Sequence, residues 1–243
     1  MDEDLPEPEP AVLAILYAPG RRPSGDGVRL AAEVSDAFAL SFDPGLGSDW
    51  AEVLITGLTF EVIGLAPGPA QAQPGITHRF GLTEGWAGDA LEAVLIRPGA
   101  HLAGAAAMIP VVRGCVALGA ALANATGAEA VVWIPARSAM ATDYFATAIG
   151  AWLDGGAFPA LGLTALVADG PDLTSDGLAF FTGQELSVST GDLSQAGRIG
   201  VRMIDALVTQ GPLTAPIQLT GPAGEPLLAT PSHDGRGVRV TLR

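Results

Sequence analysis

The sequence predicts an α+β fold: mixed, largely antiparallel sheets with helices packed on one face, in a layered sandwich. Three observations lead there. Short apolar runs bounded by Gly and Pro read as strands. Four longer segments carry their apolar residues at helical spacing instead. The stretches 164–188 and 215–242 each hold consecutive strands separated only by turns, which demands antiparallel pairing rather than the crossovers of a doubly wound sheet.

Each element has its own signal. AVLAILYA, 11–18, is an apolar run between Pro10 and Pro19-Gly20 and reads as a buried strand. Residues 28–40 read as a helix with Leu30, Val34, Ala37 and Phe38 inward. AEVLITGLTFEVIGLA, 51–66, holds one or two strands. APGPAQAQPG, 66–75, is the strongest breaker cluster and fits a linker or an ordered surface loop equally. LEAVLIRPG, 91–99, is a strand stopped by Pro98-Gly99. In the helix that follows, Pro110 is a kink or a first-turn residue, and Val112, Cys115, Val116, Gly119 and Leu122 share one face. AEAVVWIP, 128–135, is a strand, and 142–156 is a helix with Phe145, Ile149 and Trp152 on one side. LGLTALVAD, LAFFTG and QELSVST read as three strands, with Gly183-Gln184 as a two-residue type II′ hairpin turn. A helix over 193–210 follows, opened by Asp192 and turning Ile199, Met203, Leu207 and Val208 inward; PIQLTGPAGEPLLAT and GVRVTL then form short closing strands.

The 243 residues suit one α+β domain over 11–243 behind a disordered acidic tail, 1–10; a division into subdomains 11–75 and 91–243 is the alternative. Hydrophobic residues make up 49 % and charged ones 16 %, so the chain can bury a large core. The segment 101–127 is apolar enough to raise the question of a membrane. His101, Pro110 and Arg113 interrupt it, and it reads as a buried helix of a soluble protein. The acidic, proline-rich start is the opposite of a secretory signal, and one cysteine, Cys115, allows no internal disulfide; both favour the cytoplasm.

The net charge of −14, from 12 Arg and no Lys against 26 acidic residues, disfavours nucleic acid; it either attracts a basic protein partner or serves solubility alone. The residue bias, rich in Ala, Gly and Arg, resembles that of a GC-rich bacterial genome. Without lysine there is neither a phosphate loop of the GxxxxGK type nor a lysine Schiff base. No GxGxxG follows a strand and no GxSxG elbow occurs. His78, His101 and His233 lack metal-ligand spacing, so no metal or other cofactor is expected. Cys115 reads as a buried structural thiol.

Four residues remain as candidates for a binding site: Arg113, Arg137, Glu185 and His101. Arg113 interrupts an apolar stretch, so it either reaches the surface or meets a carboxylate among Glu61, Asp143, Asp154 and Glu185. Glu185 interrupts GLAFFTGQELSV, 177–188, and reads as a turn-flanking residue or as a buried acceptor for Arg113 or Arg137.

The segment WLDGGAFPALGLTALVADGPDLTSDGLAFFTGQELSVSTGD, 152–192, and the helix after it resemble the bacterial domain-of-unknown-function family 4261. The carrying features are Pro159 before an apolar strand, Ser175-Asp176-Gly177-Leu178, Phe180 or Phe181, and Glu185. PGAHLAG and VVWIPARS are compatible, so the resemblance runs mainly over 91–243. It implies a bacterial, soluble α+β domain and brings no activity or catalytic residues. The expected function is therefore a non-catalytic binding or interaction domain, neutralising or adapting a basic partner. The alternatives are a homo-oligomeric structural module and a hydrolase using dispersed carboxylates such as Asp143, Asp154 or Glu185.

Overall fold

The computed structural model describes residues 10–42, 45 and 47–243. The tail expected over 1–10 lies, Pro10 apart, outside the described residues. The chain is α+β and divides into two units, Met1–Asp154 and Gly155–Arg243, each with its own mixed, mostly antiparallel sheet. The division falls between Asp154 and Gly155 rather than in the breaker cluster 66–75, because strands on both sides of that cluster pair within one sheet.

In the first unit β1 (Leu13–Tyr17), α1 (Gly25–Ser35), β2 (Ala39–Phe42), β3 (Trp50–Ile55), β4 (Leu58–Ile63), β5 (His78–Phe80), β6 (Glu92–Pro98), α2 (Ile109–Thr126), β7 (Ala130–Trp133), β8 (Ser138–Ala141) and α3 (Thr142–Leu153) follow in order. The sheet runs β2-β3-β4-β6-β1-β7-β8-β5, and its β5–β8 pair is parallel. β1 lies at the centre, antiparallel to β6 and β7. All five of its residues are fully buried, which accounts for an unbroken apolar run rather than an alternating one. One face meets α2, where Gly119 lets the helix approach Leu13 and Gly114 lets it approach Phe60. On the other face Ala14, Leu16, Ala93, Ala130, Val132 and Ala139 are covered by Ile76, Leu82, Trp86 and Leu91. The segment 66–91 is thus an ordered cover: Gln71 bridges to Ala93, and Gln73 Nε2 donates to the carbonyls of Gly88 and Leu91.

α2 opens with Pro110 in its first turn and ends at Gly127, whose φ of 69° suits a residue without Cβ. Among the described residues it is the one helix long and apolar enough to cross a membrane, and half of it is buried within the fold. α1 starts three residues earlier than its apolar spacing suggests, at the cap Ser24, and stops at Asp36 in the left-handed conformation. Val28 and Ala31 are its buried residues, whereas Leu30 and Val34 are exposed. The expected inward face had relied on Ala37 and Phe38, which lie beyond the helix end.

In the second unit α4 (Ala160–Leu163), β9 (Ala165–Asp169), β10 (Asp172–Asp176), α5 (Ala179–Thr182), β11 (Glu185–Ser189), α6 (Leu193–Gln210), β12 (Ile217–Thr220), β13 (Pro226–Pro231) and β14 (Gly237–Leu242) build a sheet ordered β12-β13-β14-β11-β10-β9. Its β11–β14 pair is parallel. α6 packs Ile199, Met203 and Leu207 on one face, against β10 and β11, where Leu173, Leu186 and Val188 are buried. The expected strand LAFFTG is instead the helical turn α5. Phe181 stacks edge-on with both Phe158 and Phe180, and Gly183 closes the turn at φ 74°. No II′ hairpin forms at Gly183-Gln184; Gln184 is buried and bonds Leu213 and the carbonyl of Gly235.

Candidate functional site

Glu185 answers why a charge interrupts an apolar stretch. Its Oε1 accepts the backbone N–H groups of Gly177 and Ala179, both at 3.0 Å, and its Oε2 accepts the Ser175 hydroxyl. Ser175 Oγ in turn accepts from Leu186 N at 2.7 Å. The carboxylate therefore ties the β10–α5 link to the start of β11, a structural arrangement in which both of its oxygens are bonded. Its bonded groups are thus Ser175, Gly177 and Ala179 rather than the arginine expected of a buried acceptor.

The same residue stands at one end of a groove of about 580 Å³ on the face of the second sheet opposite α6. The groove follows from strand alternation. Along β14, Val238 and Val240 point to α6, so Arg239 and Thr241 point out. Register then carries one row across the sheet: Thr174 on β10, Ser187 on β11, Arg239 on β14 and Thr230 on β13. Gly237 contributes no side chain and leaves the concavity. A Cβ there would meet Ser232 Oγ at 3.4 Å with no left-handed backbone to strain, so a larger side chain would fill the groove.

The chemistry is that of hydroxyls around one cation. Arg239 is 64 % exposed and reaches Asp172 only at 3.8 Å, which leaves most of its guanidinium donors to solvent. Among the described residues the hydroxyls of Ser187, Thr230 and Thr241 make no bond to protein. One row further along the same face, Ser189 pairs in register with Thr241, and its Oγ is buried without a hydrogen-bond partner among the described residues. At the rim, Ser232 donates to Asp234 at 2.5 Å; that bond, then the Arg236 N–H, holds the Asp234 carboxyl below its usual range.

The other three candidates lie in the first unit and serve it separately. Arg113 donates from Nη2 to the carbonyl of Leu153 at 2.8 Å and from Nη1 to that of Trp152 at 3.3 Å, with its guanidinium 4.9 Å above the Trp152 ring. It finds no carboxylate because the last carbonyls of α3 supply the negative end it needs. His101 is exposed and shares a 3.1 Å bond between Nδ1 and Thr59 Oγ1. Arg137 is exposed in the left-handed conformation, φ 51°, and its carbonyl accepts from Thr77 N and His78 N. His78 begins β5. Cys115 is fully buried, and burial pushes its thiol pKa far up. Asp143 bonds the N–H of Tyr144, next to it in sequence. Among the described residues no three His, Cys, Asp or Glu side chains lie close enough to hold a metal ion.

Sequence reasoning missed Ser187, Thr230, Arg239 and Thr241. The alternation of GVRVTL gives the outward pair, but only the parallel β11–β14 register places Ser187 beside Arg239. No family model, no curated protein and no solved structure matches the chain.

Proposed function

We propose that this protein is a non-catalytic binding protein whose ligand site is the hydroxyl-lined groove of the second unit. One observation carries the reading: several unbonded hydroxyls and a largely free guanidinium surround a cavity of ligand size, while the carboxylate that lines it, Glu185, is engaged by Ser175 and two backbone N–H groups. Hydroxyls donate and accept, and Arg239 selects an anion, so the ligand class is a hydroxyl-bearing carboxylate of sugar-acid size. The resemblance of 91–243 to family 4261 fits a soluble bacterial protein without an assigned reaction, and cytoplasmic residence fits the reduced, single cysteine.

The test is an NMR titration with glucuronate and, in parallel, with neutral glucose. Glucuronate is expected to shift the resonances of Ser187, Thr230, Arg239 and Thr241 saturably, glucose far less. Gly237→Leu, which fills the groove without backbone strain, is expected to abolish the shifts. Shifts that persist in Gly237→Leu, or none in the wild type, reject the assignment.

A second reading, interaction with a basic protein, is favoured by the distribution of charge. The first unit holds 18 of the acidic residues against 7 Arg, a net −11, and the second 8 against 5, a net −3. Several arginines of the first unit are turned to internal use: Arg22 to Glu92 and two carbonyls, Arg97 to Glu61, Arg113 to α3. Glu33, Asp36, Glu84, Asp89 and Glu129 remain exposed. A partner bound this way is released by salt, and converting these five residues to Gln or Asn weakens its capture. Capture that persists at high ionic strength and in the five-residue variant refutes this reading.

A further inference from the structure

The second unit carries another cavity on the opposite side of its sheet, independent of the groove. It lies between α6 and the β12–β13 hairpin and has a volume of about 300 Å³, the lower end of the ligand-sized range. Its inner wall is apolar: Ile199 and Met203 of α6, Leu219 of β12 and Leu227 of β13. Leu227 and Thr230 point to opposite faces of β13, so the cavity and the groove share strands but no side chains.

Its mouth is polar, and Arg202 is the charged side chain among its lining residues. Arg202 and Gln210, on the flank of α6 one and two turns from Ala206 and each other, stand at the rim and are exposed. Among the described residues the Arg202 guanidinium has no ion-pair or hydrogen-bond partner. The nearest turn, 221–225, carries one counter-charge, and that charge is held within the turn itself. Its Glu225 carboxylate accepts the Ala223 N–H at 2.8 Å, while the Glu225 carbonyl accepts Gly221 N at 2.7 Å. That closed turn also fixes the outer wall, since Gly221 has no room for a Cβ beside the Glu225 side chain.

A cavity with an apolar inner wall and an exposed cation at its mouth defines its occupant chemically. We infer that this cavity is a binding site for a short-chain, water-soluble monocarboxylate. The alkyl tail lies against Ile199, Met203, Leu219 and Leu227, and the carboxylate accepts from Arg202. Burial of the tail supplies affinity without sequence in the ligand, and the guanidinium sets its polarity. A cation of the same shape meets like charge, and a neutral alcohol forfeits the charged bond.

Methyl-labelled full-length protein titrated with hexanoate tests this. The expected result is saturable shifts confined to the Ile199, Met203, Leu219 and Leu227 methyls, with no response to hexylammonium at the same concentrations. Arg202→Gln, an exposed helix change that leaves the fold intact, is expected to weaken hexanoate about tenfold or more, the range of a charged hydrogen bond. Ala206→Phe, which fills the cavity, is expected to abolish it, and Gly237→Leu in the distant groove to leave it unchanged. Shifts elsewhere or none, an equal response to hexylammonium, or undiminished affinity in Arg202→Gln would overturn the assignment.

Discussion

The two units use a sheet differently. The first buries both faces of its central strands, one under α2 and the other under the segment 66–91. The second buries one face under α6 and leaves the other as an open groove lined by hydroxyls. The first also keeps most of the negative charge while spending arginines on its own carbonyls and carboxylates. The difference teaches where binding chemistry can sit. A strand buried on both faces has no side chain to spare, whereas a half-covered sheet offers every second residue to a ligand.

Adjacent residues on one strand measure that contrast most strongly. In β1, Ile15→Ala and Leu16→Ala point to opposite faces, and both are expected to cost about 2–5 kcal/mol because both side chains are fully buried. In β14 only one of two neighbours should matter: Val240→Ala costs about 2 kcal/mol, while Thr241→Ala stays within about 0.5. Urea unfolding resolves the units, because Trp50, Trp86, Trp133 and Trp152, with both tyrosines, all lie in the first. Fluorescence therefore reports that unit, and far-UV circular dichroism both. A cheap Leu16→Ala, or a Thr241→Ala as costly as Val240→Ala, would break the comparison.

A matched pair of helical glycines sharpens it. An added Cβ at Gly119 or at Gly200 would come 2.9 Å from a leucine Cδ1, of Leu13 and Leu166 respectively. Leu13 is fully buried in the central β1, but Leu166 is only half-buried on the edge strand β9. Gly119→Ala is thus expected to cost about 1–3 kcal/mol by overpacking. At Gly200, Leu166 can turn aside, and the gain in helix propensity of about 1 kcal/mol offsets the remaining strain. Gly200→Ala should leave stability unchanged or raise it; equal losses at both sites would mean that β9 is held as firmly as β1.

The same contrast governs how much was legible in the sequence. Elements buried on a continuous face declared themselves: the run 13–17, the small-residue face of α2, and the spacing of Ile199, Met203 and Leu207 in α6. α1 misled because a helix on the flank of a unit leaves Leu30 and Val34 in water, so its stripe did not mark its buried side. Phe180-Phe181 misled because aromatic residues suit a strand and a packed turn alike, and the Phe158 contact decided between them. Arg113 and Glu185 were visible as anomalies, but most of their hydrogen-bond partners are backbone groups, which no residue pattern announces. The groove was hidden further, since it depends on the register of β14 beside β11, some fifty residues earlier in the chain.

Glu185 offers a smaller test within the second unit. Glu185→Gln keeps one acceptor but turns an NH₂ toward donors, and is expected to cost about 1–3 kcal/mol through the unsatisfied N–H groups of Gly177 and Ala179. The loss should appear in circular dichroism. A site acid would show the opposite pattern, with stability unchanged and ligand chemistry lost.

The smallest expected effect concerns acid and the first unit. The Arg22 guanidinium, 2.8 Å from Glu92 Oε2, and then the Gly20 N–H hold the Glu92 carboxyl below its usual range. A pKa lower in the folded than in the unfolded chain means that the unfolded chain binds the proton more readily. The stabilisation is therefore complete above the unfolded carboxylate value, near pH 4.3, and is lost as pH falls through the lower folded value. Glu92→Gln should lower the fluorescence-detected midpoint slightly at pH 7 and flatten its decline below about pH 4.5. Wild type and variant should converge in strong acid. A gap that stays constant from pH 7 to pH 2 would assign the Arg22–Glu92 contact to packing rather than to charge.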